Sequence, residues 1–251
     1  MKKKRKLLSI VTVVKNDVRN IEKTIKSIIT QKNKQIEYVV IDGKSNDGTS
    51  KIIKKYRKKI DKIIIEKDSG IYHAMNKGIK FASGKYIGFC NCGDLIVKNG
   101  IKIITKNLIN DIDVLFATVK RHYLGKTIIK HGYNLNRLKY NFDFATAHST
   151  GFYVKRKLHK KFGKYDTKFK CSSDYDFYYR IFKDKKISIK STPKNKIIGI
   201  VQKGGYSSTL TRLDHLNEET KIRFKNNQSL FFLLLIYCNS IIKILFKKIF
   251  T

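Results

Sequence analysis

Three aspartates occupy positions in the sequence where a carboxylate could do chemistry. Asp94 closes the segment NCGD directly after residues 86–90, a short apolar run typical of a strand buried on both faces. Asp42 follows a second apolar run in the same way, and Asp174 opens a helical pattern further along the chain. A carboxylate at a strand tip suits Mg²⁺, which takes oxygen ligands and bridges phosphate groups. A polar turn that merely ends the strand is the alternative for Asp94.

Asp174 can act as a base. It lies in the segment SSDYDF, just before the helical pattern of Phe177, Arg180 and Ile181. A carboxylate in the first turn of a helix is stabilised in its charged form, and this is the form that accepts a proton. The alternative is that Asp174 only caps the helix. Asp176 is predicted to be a structural residue on the helix face.

The elements that must position these aspartates alternate between strand and helix through residues 7–94. This alternation predicts an α/β fold with right-handed crossovers and a mostly parallel sheet. The carboxyl ends of the strands, at Lys15, Asp42 and Asp94, then meet at one edge, where ligands bind in such sheets. Neither GxGxxG nor GxxxxGK[ST] is present, so the sequence does not predict a standard dinucleotide or P-loop site.

The helix that precedes Asp94 has predictable ends. Asp68 or Ser69 can cap its N-terminus, and Gly84 can close its C-terminus in the left-handed conformation. The next part of the chain is less regular. It predicts a helix around Ile104, one strand over residues 114–120 and a short β-excursion at residues 127–130.

Charge is the unusual feature of the composition. The 251 residues include 55 Lys and Arg against 19 Asp and Glu, a formal net charge of +36. Such potential favours anionic partners, although a compositional bias of the source genome would also enrich lysine. The four cysteines form no CxxC pair, which indicates reduced thiols in the cytoplasm. The N-terminal apolar run is short for a signal peptide and is predicted to be the first strand.

Four segments in order resemble the family 2 inverting glycosyltransferases of bacterial surface polysaccharide and lipopolysaccharide synthesis. They are VTVVKND, VVIDGKSNDGT, EKDSGIYHAMNKGIKFASGKYIGF and NCGD. The resemblance covers roughly residues 7–210. It implies a GT-A fold, which is a Rossmann-like, mostly parallel sheet flanked by helices. It also implies a nucleotide-diphosphate sugar as donor, with UDP as the expected nucleotide, and a divalent cation, Mn²⁺ or Mg²⁺.

The resemblance also implies roles for individual residues. It assigns Thr12 and Asp42 to the base pocket, Asp68, Lys77 and Asn91 to the rest of the donor site, Asp94 to the metal, Asp174 to the catalytic base, and His148 to the acceptor. His148 could equally be a metal ligand or a structural histidine. For Asp47, a turn or helix cap is favoured over a binding role.

Three departures from the family pattern affect these roles. NCGD keeps only one acid of the metal motif, so metal dependence is less certain than donor binding. His73 stands where relatives commonly carry Asp, and a surface histidine is the expected role. Ser173 replaces the acid that precedes the catalytic Asp. Residues 204–208, GGYSS, resemble a Gly-Gly-x-Ser turn that is either a flap over the diphosphate or a plain loop.

The tail changes composition near residue 230. We therefore predict a catalytic domain over residues 1–226 and an apolar, basic helix over 227–251. Its uninterrupted apolar length is about a dozen residues, short of the ~20 that a spanning helix needs. The favoured interpretation is a helix lying in the interface of an anionic membrane, at the cytoplasmic face, where a glycan or lipid-linked acceptor is found. Docking on the domain or a dimer seam is the alternative.

Two rival functions fit the sequence less well. A nucleotide-sugar pyrophosphorylase has a related sheet, but VVKNDVRN lacks the Gly-rich loop expected after its first strand. A basic nucleic-acid-binding module would fit the charge, but no aromatic and basic platform motif is visible, so nucleic acid is not an expected partner.

Overall fold

The structure is a computed structural model that describes residues 6–123, 126–140, 144–146, 149–202 and 204–249. This part of the chain forms two β-sheets and eight α-helices. The strands are β1 (Leu8–Val14), β2 (Ile36–Asp42), β3 (Lys62–Ile65), β4 (Tyr86–Phe89), β5 (Leu95–Ile96), β6 (Val114–Phe116), β7 (Val119–Tyr123), β8 (Lys126–Lys130), β9 (Phe152–Lys155), β10 (Ile189–Ser191) and β11 (Gly199–Val201). The helices are α1 (Ile21–Ile29), α2 (Thr49–Lys55), α3 (Ile71–Phe81), α4 (Gly100–Leu108), α5 (Arg156–Lys161), α6 (Ser173–Phe182), α7 (Arg212–Lys225) and α8 (Leu230–Ile249).

The larger sheet has the strand order β10-β6-β9-β4-β1-β2-β3. β1 pairs in parallel with both β2 and β4, while β9 runs antiparallel to β4 and β6. The smaller sheet has the order β5-β11-β7-β8. The prediction of a mostly parallel sheet flanked by helices is therefore confirmed, and the carboxyl ends of β1, β2 and β4 share one edge.

The apolar runs form strands because both faces of the large sheet are covered. Every residue of β1 and β2 is buried. On α1 the buried side chains recur at helical spacing, with Ile21, Ile25 and Ile28 all fully buried against the sheet.

The strand predicted over residues 114–120 is wrong as a single element. The chain leaves the large sheet after Phe116 and enters the small sheet at Val119. Between them, the backbone N–H of Thr118 donates to the hydroxyl of Thr192 at 2.8 Å instead of to a neighbouring strand. An apolar run that changes sheets has the same pattern as one long strand, so periodicity alone did not separate the two.

The predicted ends of α3 are also wrong. Gly70, with φ of 145°, is the N-cap, and the Asp68 carboxylate accepts from the Gly70 N–H at 3.3 Å, one residue before the helix. Ala82 is the C-cap in an extended conformation. Gly84 is not left-handed; a Cβ there would lie 2.6 Å from the Ser9 backbone nitrogen. Glycine is needed at residue 84 because the chain passes close to β1.

We expect Gly84→Ala to lower the free energy of unfolding by about 1–3 kcal/mol, since the added methyl meets backbone that cannot move aside. The measurement is the midpoint of urea unfolding, with thermal unfolding as a check. Gly205→Ala is the matched control, because Gly205 has φ of −64° and open space where a Cβ would lie. Equal stability of the two variants would contradict the packing explanation.

The chain turns between α7 and α8 at Asn227, whose φ is 63°. This turn lies at the predicted boundary between residues 1–226 and 227–251, and that division stays a prediction. Leu233 of α8 is 5% exposed, and the Tyr237 hydroxyl donates to Asn217 of α7 at 3.1 Å, so α8 packs on α7. Among residues 6–249, apart from the short gaps given above, the helices are each too short or too polar to cross a membrane.

Candidate active site

A large cleft opens at the carboxyl edge of the main sheet. Its volume is about 1650 Å³, and its walls come from the ends of β1 and β4, the start of α3, the start of α6, and residues 201–219. Four of the predicted site residues line it together, although they come from distant parts of the chain: Asp68, Asn91, Asp94 and Asp174. The strand order brings these residues to one place, as the sequence predicted for Asp94.

Asp174 occupies the first turn of α6 and faces the cleft. Its Oδ1 accepts from the Tyr72 hydroxyl at 3.1 Å and from the Tyr175 backbone N–H at 3.0 Å. Burial disfavours the charged form and raises the pKa of Asp174 to about 7, against the opposing effect of these hydrogen bonds. A carboxylate with this pKa can take up a proton near neutral pH, which is where a general base works best.

Asp94 follows β4 and is 6% exposed. Its Oδ2 accepts from the Thr150 hydroxyl at 2.6 Å and its Oδ1 from the Gln202 N–H at 3.2 Å. Burial raises the pKa of Asp94 to about 7, while the Thr150 and Gln202 hydrogen bonds and the positive charge of Arg121 act to lower it. The carboxylate is thus held rigidly at the cleft wall by groups from two other elements.

The donors around Asp94 are compatible with a hard divalent cation. The buried Oδ1 of Asn91 has no hydrogen-bond partner among the residues described, although its amide nitrogen donates to the Ser149 hydroxyl at 3.2 Å. No group of three or more His, Cys, Asp or Glu side chains that could hold a metal occurs in the described part of the chain. These residues therefore fit a Mg²⁺ or Mn²⁺ site in which one or two protein oxygens bind the ion, and substrate phosphates and water supply the remaining ligands.

Asp68 lines the cleft from the loop before α3, and its carboxylate lies close to Gly43 at the end of β2. A Cβ on Gly43 would collide with Asp68 Oδ2, so glycine at residue 43 leaves room for this carboxylate beside the end of β2. This close approach brings Asp68 into the cleft.

Two predicted members of the base pocket do not line this cleft, and their role in the donor site stays a prediction. Thr12 is fully buried; its hydroxyl donates to the Cys90 carbonyl at 2.7 Å and lies 3.0 Å from the Tyr38 hydroxyl. Asp42 is fully buried as well, and its carboxylate accepts from the Ser45 N–H at 2.9 Å and from the hydroxyls of Ser45 and Ser50. Their polar atoms are satisfied by the protein, so they shape the loops beside the cleft.

Lys77 also lies outside the cleft wall. Its ammonium donates to the Lys67 carbonyl at 2.7 Å and pairs with the Glu66 carboxylate at 3.2 Å, so it holds the loop that carries Asp68. Asp47 has the structural role that was favoured for it, since its carboxylate accepts from the N–H groups of Val18 and Thr49. His148 lies outside the described residues.

Sequence reasoning missed several cleft residues. Tyr72 lies in the segment EKDSGIYHAMNKGIKFASGKYIGF, but nothing in that segment showed that its hydroxyl would reach Asp174. Lys15 lies at the predicted ligand-binding edge, but three other cationic side chains of the cleft were missed: Arg121, Lys170 and Arg212. In a chain with 55 lysines and arginines, spacing does not distinguish those that face a cleft. The segment Lys120-Arg121-His122-Tyr123 was the only signal, as a cluster of basic and aromatic residues.

Glu218 of α7 positions the loop in front of α6. Its carboxylate accepts from three consecutive backbone N–H groups, those of Lys170 at 2.6 Å, Cys171 at 2.9 Å and Ser172 at 3.0 Å. Hydrogen bonds to a charged acceptor are about twice as strong as neutral ones. Because Ser172 is the N-cap residue of α6, Glu218 fixes the start of the helix and with it the position of Asp174 in the first turn.

We expect Glu218→Gln to lower the free energy of unfolding by about 1.5–3 kcal/mol, because the amide loses the charge and turns a donor toward N–H groups. Urea unfolding measures this change. Glu22→Gln is the control, since Glu22 forms only a surface pair with Lys26 and a bond to Tyr56. If both variants were as stable as the original chain, the three-amide contact would have no energetic role.

The mostly parallel sheet with a cleft at its carboxyl edge is the arrangement of the GT-A fold, and the comparison with family models makes the assignment specific. The model of glycosyl transferase family 2 matches residues 9–185, so the chain belongs to that family. This confirms the family inferred from the four sequence segments and decides against a pyrophosphorylase.

Individual relatives agree with the family assignment. The chain is 31% identical over 187 residues to an uncharacterised glycosyltransferase of Methanocaldococcus jannaschii, covering 69% of this chain and 64% of the relative. It is 33% identical over 91 residues to TuaG of Bacillus subtilis, a glycosyltransferase assigned to teichuronic acid biosynthesis, covering 35% and 36%. The chain thus spans less than two thirds of the length of these relatives.

Solved structures share the fold. S. aureus TarS in complex with UDP-GlcNAc superposes with a TM-score of 0.70 at 19% identity, covering 94% of this chain and 71% of that one. The mannosyltransferase PcManGT from Pyrobaculum calidifontis, in complex with GDP-Man and Mn²⁺, superposes with a TM-score of 0.66 at 17% identity, covering 93% and 68%. At these identities the likeness concerns the fold, and the GT-A prediction is confirmed.

Proposed function

We propose that this protein is an inverting glycosyltransferase that moves a sugar from UDP to a hydroxyl group of a surface glycan or of its lipid-linked precursor. The observation that carries the proposal is Asp174, a carboxylate with a pKa of about 7 that shares one cleft with Asp68, Asn91 and Asp94. UDP is favoured because the TarS neighbour binds UDP-GlcNAc, and a surface glycan because TuaG is assigned to teichuronic acid biosynthesis.

Asp174 is the proposed base. Its carboxylate removes the proton of the acceptor hydroxyl while that oxygen forms a bond to the anomeric carbon. The bond from the anomeric carbon to the diphosphate breaks on the opposite face, and the electron pair leaves with UDP. One base suffices for this single displacement, and the proton ends on Asp174. Tyr72 holds the carboxylate in place through its hydrogen bond.

Asp94, with Asn91 beside it, would hold a divalent cation on the donor. A bound Mn²⁺ or Mg²⁺ would neutralise charge that develops on the departing diphosphate. The PcManGT neighbour, which binds GDP-Man and Mn²⁺, supports this part of the proposal. Lys15, Arg121 and Arg212 line the same cleft and attract the anionic donor whether or not the cation is bound.

The acceptor and the place of action complete the proposal. The net charge of +36 favours work at an anionic surface, which agrees with a lipid-linked acceptor at the cytoplasmic face of the cell membrane. In the chain itself, His148 remains the proposed acceptor contact. Thr12, Asp42 and Lys77 are proposed to support the donor site through the loops that they hold, instead of touching the donor.

The proposed base predicts the pH dependence. Asp174 works only when ionised, and its pKa is about 7, so kcat should rise with pH through about 7 and reach a plateau above 8. Below the pKa, kcat should fall about tenfold for each pH unit. Initial rates at saturating donor between pH 5.5 and 8.5 measure this, with the melting temperature followed at each pH. A flat profile down to pH 5.5 would exclude Asp174 as the base.

The proposal itself is tested by incubating the protein with a panel of nucleotide sugars and measuring released nucleotide, with Mn²⁺ and with EDTA. We expect release from at least one UDP-sugar and loss of release with EDTA. Thermal-shift measurements with UDP and with duplex DNA add a binding test that does not need an acceptor. Stabilisation by DNA and not by any nucleotide sugar would overturn the proposal.

A further inference from the structure

Helix α8 has one side packed on the protein. Leu233 is 5% exposed, the Tyr237 hydroxyl donates to Asn217, and the Phe232 ring packs at a tilt against Tyr140 with ring centroids 5.7 Å apart. Further along the same helix, Ile244 lines the cleft. α8 therefore forms part of the cleft rim, with residues at i, i+4, i+7 and i+11 from Leu233 turned inward.

The opposite side of α8, here called the outer face, is apolar and exposed. Its six large apolar side chains are between 51% and 69% exposed, and Cys238 among them is exposed as well. The members of the outer face are Phe231, Leu234, Leu235, Cys238, Ile242, Leu245 and Phe246. At 3.6 residues per turn these positions fall within about a third of the helix circumference. A continuous apolar face of this kind indicates an interaction site, since scattered apolar residues would need no explanation.

Charge decides between the possible occupants of the outer face. Lys243 is exposed at the edge of the face, and the chain as a whole carries a formal net charge of +36. A second copy would bring the same charge against it, whereas an anionic lipid surface is attracted. The helix does not span a bilayer by its length and composition, and apolar faces flanked by lysine typically lie in the membrane plane.

We propose that the outer face of α8 inserts into the headgroup region of an anionic phospholipid membrane and that this contact sets the cleft at the membrane surface. Because Ile244 lines the cleft from the other side of the same helix, the cleft opens within about one helix diameter, ~10 Å, of the lipid. A lipid-linked acceptor would then reach the cleft without leaving the membrane, and this second part rests on the proposed function.

The absence of tryptophan from the chain provides a direct test of insertion. Leu235→Trp places a single indole on the outer face, and Ile109→Trp places one at an exposed site after α4, where Ile109 is 67% exposed. Vesicles of phosphatidylcholine with about 30 mol% phosphatidylglycerol are added to each variant. We expect a blue shift of the emission and quenching by brominated lipid for Leu235→Trp only. Unchanged emission of Leu235→Trp, or equal shifts in both variants, would overturn the proposal.

Flotation of vesicles measures the contribution of the face to binding. The double variant Leu235→Ser/Ile242→Ser should partition at least about tenfold more weakly than the original chain, as expected for removing two inserted aliphatic side chains, whereas Ile109→Ser should bind equally well. Far-ultraviolet circular dichroism and the melting temperature confirm that the variants fold. Equal binding of the double variant would overturn the proposal. Light scattering provides a second check: if the original chain were a dimer and the double variant a monomer, a second copy would occupy the outer face, and the proposal would again be overturned.

Membrane binding and chemistry can fail separately in these tests. The double variant should release nucleotide from a UDP-sugar with water or a soluble acceptor as well as the original chain does, because its changes lie on the side of α8 away from the cleft. Vesicle binding without sugar transfer would leave the docking inference standing and reject the proposed function. Sugar transfer without vesicle binding would leave the proposed function standing and reject the docking inference.

Discussion

Asp174→Asn should lower kcat by about 10²- to 10⁴-fold, which is the usual contribution of a positioned general base. Asparagine has the size of aspartate and can still accept the Tyr72 hydroxyl and the Tyr175 N–H, so the start of α6 should keep its geometry. What is lost is the site for the proton of the acceptor. Steady-state rates with the best UDP-sugar measure kcat, and isothermal titration with UDP measures donor affinity, which should stay within about twofold.

Asp184→Asn is the matched control for Asp174→Asn. Asp184 is a carboxylate of the loop after α6 that pairs with Lys161 at 2.8 Å and lies outside the cleft, so its loss should leave kcat unchanged. If Asp174→Asn turned over at the rate of the original chain, the base would have to be another group. The carboxylate of Asp68 would then be the first to examine, since it lines the same cleft.

The second large effect is expected at Asp94. Asp94→Asn should lower kcat/KM by about 10²- to 10³-fold, because the negative charge that would hold a cation against the diphosphate is removed. Unlike Asp174→Asn, this change should weaken donor binding as well as turnover. Titration of UDP in the presence of Mn²⁺ measures the first effect and initial rates measure the second. The asparagine oxygen can still accept from the Thr150 hydroxyl, while the amide nitrogen can no longer accept from the Gln202 N–H.

Thr150→Val separates charge from packing at this position. The variant keeps the Asp94 carboxylate and removes only the hydrogen bond from the Thr150 hydroxyl, so it should lower kcat/KM far less than Asp94→Asn.

Full activity of Asp94→Asn in the presence of EDTA would show that the enzyme transfers sugar without a metal at this position. The cleft lysines and arginines would then carry the neutralisation of the diphosphate.

Local patterns predicted most elements of the fold and half of the site. Buried strands are continuous apolar runs and helices repeat at 3.6 residues, so β1, β2, β4, α1 and α3 can be recognised from neighbours in the chain. The parallel order then places the tip after β4 at the ligand-binding edge, and Asp94 is found there. Asp174 could be predicted because a carboxylate in the first turn of a helix has both a recognisable position and a clear chemical use.

Contacts between distant segments are what the sequence did not show. The backbone of Gly84 is not left-handed. Glycine is needed there because Ser9, 75 residues earlier in the chain, lies where a side chain would be. Lys77 is held by the loop at Glu66 and Lys67. No periodicity in the sequence records which polar atoms the fold will satisfy internally, as it does for Thr12 and Asp42.

The chain order of apolar and polar residues determined the α/β fold, the family and the positions of Asp94 and Asp174, because each follows from interactions between residues close in sequence or from a motif. The tertiary structure alone decided which lysines and arginines face the cleft, why the pKa of Asp174 rises to about 7, and which side of α8 is exposed. These properties depend on burial, and burial is set by segments that meet only when the chain folds.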